Sequence, residues 1–158
     1  MDNETKAAMR ETSRRRMREI WEQSSADEAQ LNDEEQGLLA AMRLHPEYYQ
    51  LWDRLDELSS EELEQDGTNP ILHITMHQII ETQIAKDDPP ETDETLNRLM
   101  AQGTTRHDAI HQIGAVFTEE LYQVLKHQRE FNSARYIKKL GRLGKQRKIF
   151  KGRRKGQN

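Results

Sequence analysis

The segment NPILHITMHQIIETQIAK, residues 69–86, decides the fold. Asn69 offers a side chain that can cap free backbone amides, and Pro70 suits the first helical position, where a missing N–H costs nothing. The apolar residues that follow recur at helical rather than alternating spacing. The pattern predicts a helix from Pro70 to about Lys86, stopped by DDPP at 87–90. Counting about 100° per residue from His73, Ile80 falls near −20°, Ile84 near 20°, His77 near 40° and Met76 near −60°. Both histidines share the apolar face, and Glu81 lies at its margin, near 80°.

A second stretch, RHDAIHQIGAVFTEELYQVLKH at 106–127, repeats the device with His107 and His111. Thr105 followed by Asp108 resembles a capping box with Asp in place of Glu, and predicts a long helix to about His127. Counting about 100° per residue from His107, Leu125 lies near zero, Gly114 near −20°, Leu121 near −40°, Ile110 near −60°, Phe117 near −80° and His111 near 40°. The imidazoles again point inward, along one edge of an apolar stripe that includes Leu121 and Leu125.

Outward from these helices the signals remain helical. Residues from about Glu4 to Glu22 form an Arg-rich segment with few apolar anchors, a helix that docks only at its end. SSADEAQ at 24–30 reads as a linker. Asn32 or Asp33 can cap a helix through EEQGLLAAMRLH, and Pro46 after His45 both ends it and opens a short helix in PEYYQLWDRLDEL. SSEELEQDG reads as an acidic connector, and Glu94 to Gln102 as a short helix closed by Gly103. Ser133 caps a last helix to roughly Leu143. Strand and hairpin signals are scarce. The expected architecture is an all-α bundle of about four to six helices. An N-terminal charged helix and linker fill 1–30, the helical bundle domain 31–143, and a mobile basic tail 144–158.

Composition narrows the chemistry. Apolar residues make up 34% of the 158 and charged residues 33%, so the core must be built economically. There are no cysteines, which removes disulfides, thiolate metal sites and cysteine nucleophiles and fits a reducing, cytoplasmic setting. No apolar run is long enough for a membrane helix, and the first residues lack the apolar core of a secretory signal. The net charge of −4 conceals an asymmetry: residues 135–158 hold eleven Lys or Arg and no acid, whereas residues 20–134 hold 24 acids against 7 Lys or Arg. Lys145, Arg147, Lys148, Lys151, Arg153, Arg154 and Lys155 could contact the phosphates of a nucleic acid, or an acidic protein, with RRRMR at 14–18 extending that surface.

An inward imidazole needs a partner for each ring nitrogen, or loses about 1 to 3 kcal/mol per unsatisfied group. A metal ion removes that cost, because side chains four apart on a helix lie roughly 5 to 6 Å from one another at Cβ and can chelate together. His73, His77, His107 and His111 are the expected ligands on two facing helices, with Glu81 and His45 as further donors. The ion would be Zn, Fe, Mn or Ni. No His-Glu-x-x-His motif of zinc proteases is present, and only Asp108-x-x-His111 comes near the Glu-x-x-His of di-iron bundles. The competing reading gives the histidines to a structural polar network, hydrogen-bonded to Glu81, Asp108, Tyr48, Tyr49 or backbone carbonyls. No reaction is named by either.

The wording of three segments points further. HPEYY (45–49), TNPILHITMHQIIETQIAKDDPP (68–90) and RHDAIHQIGAVFTEELYQVLK (106–126) resemble, in the same order, motifs of the bacterial family catalogued as domain of unknown function 1841. FNSARYIKKL (131–140) is similar to that family's closing helix. The resemblance covers about residues 35–140 and leaves out the Arg-rich start and the basic tail. It implies a small helical protein, with His45, Asn69, Pro70, His73, His77, Glu81, His107 and His111 at matching positions, and supplies no reaction.

Overall fold

The computed structural model describes residues 2–64 and 67–145, and among these the protein is all-α. Its helices are α1 (Asn3–Ala26), α2 (Asp33–Arg43), α3 (Tyr49–Trp52), α4 (Ser60–Leu63), α5 (Pro70–Lys86), α6 (Pro90–Ala101), α7 (Arg106–His127) and α8 (Ser133–Leu140). The number exceeds the expected range because α3 and α4 are single turns. No helix among the described residues is long and apolar enough to cross a membrane. The chain divides into two compact units, Met1–Asp93 and Glu94–Asn158. Lys145 is exposed, while Arg147, Lys148, Lys151, Arg153, Arg154 and Lys155 lie outside the described residues.

The first unit is built on α1, α2 and α5, which pack on one another. Leu39, Met42, Trp52, Leu55 and Ile74 are completely enclosed in its core. Helix α1 docks through its second half: Met17 and Ile20 are buried, whereas Met9 is 57% exposed. It runs past Glu22 through the segment read as a linker, and a 3-10 turn at Glu28–Gln30 completes the passage to α2. Its arginines serve the unit itself. Arg14 donates to the Leu58 carbonyl, Arg18 pairs with Glu22 and Asp56, and Arg16 with Glu34. The RRRMR charge is thus partly engaged with this chain's own acceptors.

Caps fix the helix starts. Asn32 accepts from the Glu35 amide at 3.0 Å while the Glu35 carboxylate accepts from the Asn32 amide at 3.0 Å, a reciprocal box that sets the start of α2. The same box, Ser59 with Glu62, starts α4 inside the expected acidic connector, and buries Leu63. Asn69 accepts from the amides of Ile71 and Leu72 at 3.0 and 3.3 Å and starts α5 where the sequence places it. Asn69→Ala is expected to cost about 1 kcal/mol, read as a fall of about 3 °C in a thermal melt.

In the second unit α7 packs against α8. Helix α6 starts at Pro90 rather than Glu94, because Pro90 takes the first helical position just as Pro70 does in α5. Thr105 caps α7, accepting from the Asp108 amide at 3.1 Å. The shorter Asp108 carboxylate accepts from the Thr105 hydroxyl at 2.7 Å instead of completing a box through the backbone. Asn132, not Ser133, caps α8, accepting from the Arg135 amide at 2.9 Å. Helix α8 ends at Leu140 rather than Leu143 because the next residues tighten into turn hydrogen bonds, Leu143 N–H to the Leu140 carbonyl at 3.1 Å among them. Arg98 holds that end, donating to the carbonyls of Leu140 at 2.9 Å and Leu143 at 2.8 Å.

The buried face of α7 is rotated from the expected stripe. Ala109, Ile110, Ile113, Gly114 and Glu120 are buried, while Leu121 is 38% and Leu125 72% exposed. Tyr136 and Leu140 of α8 are buried, and Tyr136 meets Phe117 of α7 edge-on at 5.9 Å. That contact selects the side of α7 that carries Phe117 and Glu120 and leaves the Leu121–Leu125 edge in solvent.

Candidate metal centre

His45 is placed by the end of α2. Its backbone N–H donates to the Met42 carbonyl at 3.1 Å, and Pro46 prevents a further helical turn. The side chain is only 2% exposed. Its Nδ1 lies 2.8 Å from the Ala41 carbonyl oxygen. A carbonyl only accepts, so Nδ1 carries the proton and donates. In the neutral ring Nε2 then carries the lone pair. Metal-binding histidines are commonly oriented this way, with one ring nitrogen tied to a backbone carbonyl and the other free to ligate.

Helix α5 brings two more rings to the same place within the first unit. Its buried residues are Pro70, Ile71, Ile74, His77 and Ile80. His77 lies on this face and is 2% exposed; His73 is half-buried. The centroid of His45 is 4.6 Å from those of both His73 and His77, and His73 and His77 are 5.0 Å apart. Nε2 of His73 lies 2.9 Å from Nε2 of His45. Tyr48, buried on a 3-10 turn at Pro46–Tyr48, stacks on His45 at 5.8 Å with ring planes 9° apart and meets His73 edge-on at 5.9 Å. Glu81, one turn beyond His77, is half-buried.

In the second unit His107 and His111 lie one turn apart at the start of α7. Their centroids are 4.3 Å apart and both are half-buried. Spacing four on a helix produces this approach, as expected. Each unit therefore carries a group of adjoining imidazoles, three in the first and two in the second. His45 is a full member of its group, as close to each α5 ring as those two are to one another. Its place at a helix end before a proline was visible in the sequence, but its tautomer depends on the Ala41 carbonyl.

One further polar group was not foreseen. Glu120 of α7 is completely enclosed and accepts from Nε and NH2 of Arg135 at 2.7 and 2.6 Å, and from the Asn132 amide at 3.3 Å. The Arg135 guanidinium, and then the Asn132 amide, hold its carboxyl below the ordinary carboxylate value against the opposing effect of burial. It is a structural pair. The signal for it is a carboxylate on the buried side of α7 with an arginine just inside the next helix.

A cysteine-free, all-α chain with a cluster of buried imidazoles has a donor set able to hold a metal ion. The chain belongs to the family described as domain of unknown function (DUF1841), whose model matches residues 9–142. The match is wider than the sequence motifs implied, and takes in the Arg-rich part of α1 from Arg10 to Arg18. Neither the curated proteins nor the solved structures contain a match to the chain.

Proposed function

We propose that the protein binds a transition-metal ion through imidazole nitrogens, the candidate ligands being His45 and His77 in the first unit and His107 and His111 in the second. The observation that supports this most strongly is the hydrogen bond from His45 Nδ1–H to the Ala41 carbonyl, 2.8 Å long, which turns the lone-pair nitrogen of that buried ring, Nε2, toward other imidazoles. Four neutral nitrogens satisfy a tetrahedral ion with bonds of about 2.0 to 2.1 Å. Imidazole donors favour Zn, Ni or Fe over Mn, which prefers carboxylate and carbonyl oxygen. Glu81 stands outside this donor set, as does His73. The function proposed is metal binding, and no reaction is assigned to it.

The test is elemental analysis of protein purified without a nickel column. About one equivalent of metal is expected, or, for stripped protein, a melting temperature raised by about 10 °C on adding zinc in large excess over its dissociation constant. Less than about a tenth of an equivalent of any metal, with no melting shift on adding zinc, iron or nickel, leaves the histidines as a structural network.

A further inference from the structure

We propose that His73 is a competitor for the metal site, not a ligand: it occupies the lone pair of His45 until an ion takes it. This rests on the metal-binding reading above. Nδ1 of His45 is 2.8 Å from the Ala41 carbonyl oxygen, so the proton of that ring is on Nδ1. Nε2 of His45 is 2.9 Å from Nε2 of His73. Two ring nitrogens at this distance need one hydrogen between them. A second proton on His45 would make a cation of a ring only 2% exposed, at a high desolvation cost. The hydrogen is therefore on His73, whose Nε2–H donates to the lone pair of His45.

The proton on His73 Nε2 argues against joint ligation. Nitrogens sharing a tetrahedral ion at about 2.0 to 2.1 Å lie roughly 3.3 Å apart, both with their lone pairs turned to the metal. Here one lone pair faces one N–H. A lone pair cannot serve a hydrogen bond and a metal bond together, so an ion that binds His45 displaces the His73 donor. His73 can accept that displacement because it is half-buried, so that water can take its N–H. His77, deep on the same face, has no such outlet to solvent at 2% exposure. Two histidines one turn apart on α5 thus take opposite parts: His77 holds the ion and His73 opposes its entry. A site with a built-in competitor binds more weakly than its ligands alone would, and gives up its ion more readily.

The experiment is a zinc titration of the full chain against a chromophoric chelator, for the parent, His73→Phe and His73→Ala. Removing a competing hydrogen bond is expected to tighten zinc binding by roughly five- to tenfold in both variants. Weaker or unchanged binding in the variants, with the parent still binding zinc, overturns the competitor role and leaves metal binding intact. A parent that binds no zinc, nickel or iron overturns the metal reading itself. A second measurement does not depend on the variants folding. Proton–nitrogen correlation spectra of the metal-free parent are expected to show His45 protonated at Nδ1 and His73 at Nε2. A His73 ring protonated at Nδ1 alone overturns the proposal.

Discussion

His45→Phe is expected to keep the helical fold and to bind zinc more than about 100-fold more weakly than the parent. The fold survives because the new ring resembles the old one in bulk and planarity. It can lie against Tyr48 as the imidazole does, at a centroid distance of 5.8 Å. The Ala41 carbonyl is not orphaned, since it also accepts from the Leu44 amide at 3.1 Å. What disappears is Nε2, the nitrogen whose lone pair the tautomer presents. Deleting a group that merely orients a ligand costs about 10- to 100-fold in metal affinity, so deleting the ligand exceeds that range. Glu81→Gln is the control and is expected to leave affinity unchanged. Chelator competition measures both, with circular dichroism confirming helix content. Equal zinc affinity in His45→Phe and parent removes His45 from the donor set. A large loss in Glu81→Gln brings the carboxylate into it.

Much of the fold was legible because its helix starts are chemical. Asn69-Pro70 and Thr105 mark the starts of α5 and α7 through groups that act within three residues, and a local interaction can be read from local sequence. The Ser59–Glu62 box was equally local, but it opens a helix of one turn with a single buried anchor, Leu63, too short for any periodicity. The inward placement of His77 followed from counting residues. The rotation of α7 did not. Whether Leu125 or Glu120 turns inward depends on which side α8 covers, and that is a tertiary choice between two partly apolar faces. The candidate donors were legible as a list of histidines but not in how deeply each is buried. On the count of about 100° per residue His73 falls between His77 and Ile80, both buried, and only the packed structure shows that His73 is left half-buried. The tautomer of His45 depends on the last turn of α2, a carbonyl four residues back, and no spacing rule states where its proton sits.

The Glu120–Arg135 pair carries the second large expectation. Glu120→Gln preserves shape and removes the charge, leaving Arg135 without its anionic partner. Breaking a buried ion pair costs about 3 to 5 kcal/mol, but the Arg135 side chain is 34% exposed, and water can partly replace what it loses. A loss of about 2 kcal/mol at neutral pH is therefore expected, near 6 °C in melting temperature. The pH dependence follows from the direction of the shift. The Glu120 carboxyl is held below its ordinary value of 4.5, chiefly by Arg135. A carboxylate more acidic in the folded than in the unfolded chain contributes stability above the unfolded value, and loses it as pH falls through the folded value. Parent and variant are thus expected to differ by a constant amount from neutral pH down to about pH 5, and to converge as the pH falls further. Subtracting the variant from the parent removes the parallel contributions of the exposed carboxylates Glu28 and Glu62, which are also held below their ordinary values, by Arg43 and by the Ser59 cap. Urea unfolding across this range measures the difference. A gap that stays constant into strong acid shows that the cost of the substitution is steric, and that the ion pair is not what holds α7 to α8.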